Sequence, residues 1–481
     1  MTYDLLIAGG GINGCAIARE ASLLGLSVLL VERDDLASHT SSASSKLIHG
    51  GLRYLETYEF RLVREALKER ERMLAAAPHL IHPMAFVLPH AHSVRPWWMV
   101  RIGLYLYDWL AGTTRLPRSR GLRADDVTYT APLKGTHKGF VYTDAFVDDS
   151  RLTLANAQDA AANGAEIATR TALTAARREG GLWQATLSGG RTVTARTLVN
   201  AAGPWVRELL GELRLQAHAG VRLVKGSHIV VSALYEGDHA YLLQQPDGRV
   251  VFAIPWQGRT AIGTTDIPVE QPEDAGIGAD ETAYLLAAAN RYFTRPIAAE
   301  DIVASWSGIR ALYDDGEAAA QKVTRDYRLE LDADGPPLLS VFGGKITTAR
   351  ALAHEAMTHL APPLGITAYA VTPARVFPGG MIADFGTFLA DVRQRWPFLG
   401  EARSARMAHA YGTLLLDMLA GVEDEAGMGR DLGAGLTEVE LRWMRDHEWA
   451  RTAEDVLWRR SKLGLDPAAD AAAVDAALAQ L

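Results

Sequence analysis

Residues 41–56, SSASSKLIHGGLRYLE, gather four serines, a lysine, a histidine, paired glycines, an arginine and a tyrosine into one short stretch. A polar surface loop accounts for the serines and for little else. Hydroxyls and an ammonium suit phosphate oxygens, and glycines let backbone approach a flat ring closely. Ser41, Ser42, Ser44, Ser45 and Lys46 are therefore candidates for a cofactor's phosphates, with Gly50 and Gly51 beside its ring. Three cations sit in glycine-bearing motifs: Arg53 in GGLRYLE, Arg310 in SGIRAL and Lys345 in GGKITT. Arginine's planar fork can bond two phosphate oxygens at once. His228, in KGSHIVV, has the intrinsic pKa of a proton acceptor near neutrality.

The elements that must position these groups begin at the N-terminus. Residues 4–8, DLLIA, read as a short buried strand, and 26–32, LSVLLVE, as a second one. Between them, Gly9, Gly11 and Gly14 fit G-x-G-x-x-G, with Asn13 inside the motif and a helix after it. Such glycines turn the backbone tightly, admit a pyrophosphate and seat the helix on the sheet; the helix N-terminus adds a favourable dipole. Glu32 closes the unit where a carboxylate can accept hydrogen bonds from an adenosine ribose, which disfavours a 2′-phosphate. Cys15, just inside the helix, reads as a small structural residue. An NAD domain would continue into further βα units; this chain turns to the serine-rich loop, which suits the longer FAD.

At 481 residues, two or three domains are expected. The net charge of −8 argues against a nucleic-acid partner, and the single cysteine leaves no disulfide, no thiolate metal cluster and a reducing compartment as the natural setting. No signal peptide or spanning helix is expected. WWMVRIGLYLYDWLA (97–111) predicts a mostly buried helix in preference to a membrane-surface one, with Arg101 and Asp108 on a single face.

The motifs GGGINGCAIARE, SSASSKLIHGGLRYLE, VDDSRLTLANAQ, LVNAAGPWV, KGSHIVV, IGTTD, SGIRAL, TRDYRLEL, LLSVFGGKITTAR and HEWARTAEDVLWRRSKLGL resemble those of the FAD-dependent glycerol-3-phosphate dehydrogenases, bacterial aerobic branch. The resemblance covers nearly the whole chain. It implies an α/β fold in which a Rossmann-like FAD-binding domain is interleaved with an antiparallel-sheet substrate domain, as in glycine oxidase and D-amino-acid oxidase, plus an all-helical C-terminal domain. The interleaved body is expected over 1–375, with FAD-binding segments at about 1–75, 145–215 and 305–360 and substrate segments at about 76–144 and 216–304; the helical domain is expected over 376–481.

The resemblance further implies oxidation of sn-glycerol 3-phosphate to dihydroxyacetone phosphate, with hydride passing from C2 to flavin N5 and electrons onward to a membrane quinone. It places Arg53, Tyr54, Thr264, Arg310 and Lys345 at the substrate, with His228 and Arg310 catalytic. Arginine is a poor base, so Arg310 is read as a stabiliser of developing alkoxide charge and His228 as the base. Without its motif, His228 would read as a core histidine. His49 becomes a flavin-side residue, Thr171 and Ala172 lie by the adenine, and Ala202 and Gly203 end a strand against the dinucleotide. Gly344, Lys345, Thr347 and Thr348 form a turn and helix start aimed at the flavin's carbonyl edge. Three departures stand out: Cys15 after Gly14, Ala349 before Arg350, and Ala311 after Arg310.

Proline and glycine at APPLG (361–365) and FPGG (377–380) read as a linker, with helices beyond. Thr437 and Glu440 predict a capping box. Trp458, Arg459, Arg460 and Lys462 read as cations at a helix end, or else as a contact with anionic lipid. The expected setting is the cytoplasmic face of the inner membrane, peripherally attached, with a homodimer open. Competing readings are an oxidase of the same substrate using dioxygen, an amine or amino-acid oxidase, and an FAD-holding module without catalysis. The three cations together favour a dianionic substrate over an amine.

Overall fold

The computed structural model describes residues 2–56, 58–135, 138–215, 220–314 and 326–481. Two sheets organise the body. In the first, Thr2–Ala8 lies between Val28–Val31 and Thr192–Asn200, parallel to both. Leu338–Phe342 extends it in parallel beyond Thr192–Asn200, Glu166–Ala168 extends it beyond Val28–Val31, and Arg328–Asp332 adds an antiparallel edge. The unbroken apolar runs of these strands suit a sheet covered on both faces. On one side, helix Ile12–Leu23 packs against Asp149–Ala162 and Ala349–Leu364 through small residues such as Cys15, Ala18, Ala21, Ala157 and Ala356. On the other, the hairpin Leu173–Glu179 and Leu182–Leu187 buries Trp183. The carboxyl ends of the parallel strands all open toward one crevice, the usual ligand position in such sheets.

The second sheet has ten strands. Its spine is Gly220–Ser232, paired antiparallel with Arg259–Gly263, Ile267–Val269 and Ile302–Asp314. The register sets Arg310 opposite Val224, Gly308 opposite Gly226 and Gly263 opposite His228. The sheet is not wholly antiparallel: Ala240–Gln244 runs parallel to Ile81–Pro89. Leu47–Ile48, which directly follows the serine-rich loop, pairs with Gly139–Val147 in this sheet. The chain therefore crosses between sheets at the serine-rich loop, so that loop lines the seam.

Helix Trp97–Ala111 corrects an expectation. Val100, Leu104, Tyr107 and Leu110 are buried, but Trp98, Tyr105 and Trp109 are 61%, 65% and 67% exposed. Its apolar remainder is wider than the surface beneath it. Arg101 and Asp108 do share a face, both bonded to Ser119 (3.0 and 2.6 Å). Pro362 and Pro363, read as the start of a linker, occupy the last turn of helix Ala349–Leu364, which ends at Gly365 with φ +70°.

The C-terminal helices Phe385–Arg395, Gly400–Tyr411, Glu438–His447 and Ala471–Gln480 enclose their own core around Met407, Tyr411, Leu441 and Met444. The capping box does not form: Glu440 binds Arg406 (2.6 and 2.7 Å) and Tyr411 (2.8 Å), leaving the Thr437 hydroxyl buried. Arg459 and Arg460 do end a helix, Asp455–Arg460, but with Lys462 they are buried and so cannot be the contact with anionic lipid. Arg459 and Arg460 both bind Asp35, and Lys462 lies 3.2 Å from Asp148. With Arg151–Glu448 (2.8 Å), these buried pairs dock the helices on the body. Leaving one partner unpaired would cost far more than an exposed pair contributes.

Candidate active site

A cleft of about 800 Å³ runs along the seam between the two sheets. At one end lie Glu32, Thr171 and Ala172; the glycine turn and the serine loop flank its middle; His49, Tyr54, His228, Thr264, Arg310 and Lys345 close the other end. Residues from seven separate sequence motifs thus meet in one space.

The glycine turn behaves as its spacing predicts. A Cβ on Gly14 would lie 2.0 Å from the Gly9 carbonyl, and one on Gly9, at φ +117°, 2.4 Å from the Ala201 carbonyl. Helix and strand therefore touch backbone to backbone. Ser41 Oγ accepts the Ile12 amide at 2.9 Å, tying the serine loop to the first turn of the helix. Glu32 is buried, which raises its pKa, and its oxygens already accept the Gly10 and Asp34 amides at 2.6 and 2.9 Å. It braces the turn while facing the cleft. The Ala172 amide donates to Ser188 Oγ at 3.0 Å, and its carbonyl accepts the Ser188 amide at 2.8 Å. Ala202 and Gly203 line the cleft where the strand Thr192–Asn200 ends.

Two members of the serine loop point elsewhere. Lys46 donates to both oxygens of Asp149 (3.0 and 3.1 Å) and to the Ser42 carbonyl (2.9 Å); Ser42 Oγ donates to the His39 carbonyl. Both face a smaller adjoining cavity, walled by Trp256, Trp306 and Trp458. The reason is electrostatic. Asp149 is wholly buried, and burial alone would raise its pKa, but Lys46 and Lys462 outweigh burial and hold it below its usual range. Lys46 is committed to that carboxylate. Ser44 Oγ serves it too, at 2.7 Å, while Ser45 turns to the opposite wall.

At the closed end, Ser45 Oγ and His228 Nε2 lie 2.9 Å apart. The imidazole stacks on Trp306, with ring centroids 4.9 Å apart at 13°. Its other face presses on Gly263, where a Cβ would sit 2.1 Å from the ring. Burial first, then the charges of Lys46 and Arg310, lower the His228 pKa to about 3. The intrinsic value that recommended it as a base is thus displaced by its surroundings, and it is a neutral imidazole. Arg310 is held by Asp266 (3.0 Å) and the Thr265 carbonyl (3.0 Å), and a Cβ at Gly226 would lie 2.3 Å from its guanidinium. Lys345 Nζ stands 4.3 Å over the Tyr54 ring. A cation over an aromatic face is steadied without losing its charge.

Gly344, at φ +101°, packs on Asn13, whose amide donates to the Gly343 carbonyl at 3.1 Å. Thr347 lines the cleft; Thr348 is buried behind it and outside the lining. Gly50 and Gly51 also lie behind the surface, at the turn that presents His49. Arg53, expected beside Tyr54, is half-buried on the short helix Leu52–Leu55 and does not line the cleft.

Three further residues shape the site. Trp205 walls the cleft with Arg33 stacked at 4.3 Å and His39 at 4.6 Å. It lies within LVNAAGPWV, so its signal was available. Asp149 stands within VDDSRL, but only the fold reveals that it anchors the loop over 100 residues earlier. Asp266 is the last residue of IGTTD, and only the fold shows that it holds Arg310.

The residues fit FAD. The cleft is long, its middle is flanked by backbone at the helix start, and Asn13 Oδ1, Ser38 Oγ and His228 Nδ1 line it as buried polar atoms without protein partners. A dinucleotide-binding crevice feeding a cationic, histidine-bearing end defines a flavin-dependent oxidoreductase. In agreement, the family described as FAD dependent oxidoreductase matches residues 4–350, and the C-terminal domain of alpha-glycerophosphate oxidase matches residues 347–481. A glycerol-3-phosphate dehydrogenase of Pseudomonas aeruginosa is 50% identical over 96% of this chain and 92% of its own. D-erythritol 1-phosphate dehydrogenase of Brucella abortus is 48% identical over 96% and 94%. The crystal structure of the Bacillus halodurans glycerol-3-phosphate dehydrogenase with FAD covers 96% of this chain and 86% of its own, at TM-score 0.74 and 28% identity.

The chain belongs to the FAD-dependent glycerol-3-phosphate dehydrogenase family, and FAD is its cofactor.

Proposed function

We propose that this protein oxidises sn-glycerol 3-phosphate to dihydroxyacetone phosphate and delivers the electrons to a membrane quinone. The observation that carries the reading is the convergence of Arg310, Lys345, His228 and Thr264 at one end of the FAD cleft. FAD, when bound, supplies the hydride acceptor. The chain's part is to hold a dianion, orient its C2 hydroxyl and take one proton.

Lys345 and Arg310 clamp the phosphate and share the oxygen charge, with Arg53 an outer member of the site. Asp266 fixes the guanidinium plane, so little reorganisation is needed when charge develops. Thr264 and Tyr54 orient the polyol. His228 accepts the hydroxyl proton at Nε2. A pKa near 3 is no obstacle, because a hydroxyl whose carbon is losing hydride becomes a far stronger acid than imidazolium. This role needs the tautomer with its proton on Nδ1, in which Ser45 Oγ, 2.9 Å away, is the donor to Nε2 and turns aside as the substrate hydroxyl arrives.

The partner side of the proposal is peripheral attachment. No helix among the described residues is long and apolar enough to cross a membrane. Helix Trp97–Ala111 instead presents two strongly exposed tryptophans and a tyrosine, the residue types that favour a lipid–water boundary. A second substrate deserves comparison because of the Brucella relative: D-erythritol 1-phosphate. The test is turnover with a soluble quinone under nitrogen. Dihydroxyacetone phosphate should form in step with quinol, faster from sn-glycerol 3-phosphate than erythritol 1-phosphate is consumed. Preference for the four-carbon substrate would overturn the assignment, and peroxide formed in air at the quinone rate would overturn the acceptor.

A further inference from the structure

Behind the turn that presents His49, the protein buries a polar network inside an otherwise apolar cluster. Tyr107 projects inward from helix Trp97–Ala111 and is 2% exposed. Its hydroxyl lies 2.9 and 2.8 Å from the two oxygens of Asp144, and it accepts the Gly50 amide at 2.7 Å. Asp144, on strand Gly139–Val147, is gripped by Arg70 Nη1 at 2.6 Å, which also donates to the Thr143 carbonyl at 3.1 Å. The surroundings are Met84, Phe86, Leu104 and Phe140. Burying a carboxylate, a guanidinium and a phenol there carries a desolvation cost that packing alone does not require.

The network acts on one place. A Cβ at Gly50 would lie 2.7 Å from the Leu67 side chain and 2.8 Å from the Tyr107 hydroxyl, so the backbone sits directly against both. Gly51, at φ +72°, then packs on the Tyr54 ring, where a Cβ would stand 2.3 Å away. Tyr54 carries Lys345 Nζ 4.3 Å above it. One hydroxyl therefore fixes the height of the turn that carries His49 and, through Tyr54, the phosphate-binding ammonium.

We propose that Tyr107, backed by Asp144 and Arg70, is a positioning residue that sets the His49–Gly51 turn against the flavin. The proposal rests on the reading that this turn faces the flavin ring. The test uses the FAD-loaded full-length Tyr107→Phe protein, which keeps the ring and removes only the hydroxyl. FAD should stay bound while its visible band and midpoint potential move. Anaerobic flavin reduction at saturating sn-glycerol 3-phosphate should slow about tenfold, with KM rising by less than in Lys345→Ala, since a displaced ammonium keeps its charge while small misplacements act on the reacting geometry. Tyr241→Phe removes another buried hydroxyl, bonded to the Tyr129 carbonyl at 2.9 Å, and should change neither flavin property.

A Tyr107→Phe protein with wild-type band, potential and reduction rate overturns the proposal. If that variant cannot be recovered with FAD, Asp144→Asn replaces it, with a band shift and slowing in the same direction expected and wild-type behaviour again contradicting. Wild-type flavin that sn-glycerol 3-phosphate does not reduce is a failure of the functional reading instead. The band and potential, which need no substrate, then still decide the role of Tyr107.

Discussion

Ser45 Oγ and His228 Nε2 stand 2.9 Å apart, one on the cofactor-side loop and the other on the spine of the second sheet. The contact joins the two halves of the site, and it involves a histidine whose pKa burial, Lys46 and Arg310 have lowered to about 3. His228 is therefore already deprotonated across the neutral range. The rate of anaerobic flavin reduction should show no limb near 6.5, the ordinary histidine value. His228→Asn should slow it by about two orders of magnitude or more. A limb near 6.5 that vanishes in His228→Asn would contradict this account of the base.

The two cations should separate kinetically. Lys345 is steadied by a ring rather than a carboxylate, so its charge is available to the substrate phosphate. Lys345→Ala should raise KM by about 10- to 100-fold, the scale of a charge-assisted hydrogen bond lost at a phosphate. Arg310→Lys keeps the charge but loses the fork held by Asp266 and Thr265, and should chiefly lower kcat. Arg53→Ala, outside the cleft lining, should raise KM less than Lys345→Ala. Steady-state kinetics of the three variants decides the ordering.

Glycine substitutions should separate cofactor from substrate. At Gly14 an added methyl meets the Gly9 carbonyl at 2.0 Å, so Gly14→Ala should yield protein depleted in FAD. At Gly263 it meets the His228 ring at 2.1 Å. Gly263→Ala should retain FAD yet reduce it slowly. The ratio of flavin absorbance to protein absorbance, measured beside the reduction rate, distinguishes them.

Acid should destabilise the fold before it touches most carboxylates. Burial lowers His79 and His228 to about 3 and His82 and His239 to about 4, from an ordinary 6.5. Between those values the unfolded chain binds more protons than the folded one, so stability falls as pH drops from 6.5 toward 4. Asp144 opposes them: burial, only partly offset by Arg70, pushes it up to about 6, and the stability it contributes is present in acid and lost as pH rises through that value. Glu32 and Glu65, also raised by burial, act with Asp144, while His90 and His409, also lowered by burial, act with the other histidines, so the lowered histidines outnumber the raised carboxyls. Urea midpoints should decline from pH 6.5 to 4.5, and a flat series would contradict the buried, neutral state of these histidines.

What the sequence made legible was what local spacing controls. The glycine turn, the strands around it and the cleft-facing motifs follow from residue type at fixed offsets, because backbone contact at Gly9 and Gly14 admits nothing larger. Charges were harder. Lys46 looked like a phosphate ligand, but a lysine goes to the nearest buried carboxylate, and Asp149 is distant in the chain. For Arg459, Arg460 and Lys462 the helix end was legible but not the burial, their partners Asp35 and Asp148 being far away in sequence. Helix Trp97–Ala111 gave its periodicity but not its outer face, since periodicity does not say how much surface lies opposite.

The most direct test of the central claim is anaerobic. The FAD-loaded protein is mixed with sn-glycerol 3-phosphate and the visible flavin band is followed. The account predicts rapid bleaching that Lys345→Ala shifts to higher substrate concentration and His228→Asn slows at saturation. A band that sn-glycerol 3-phosphate leaves intact, with FAD shown to be bound, would contradict it.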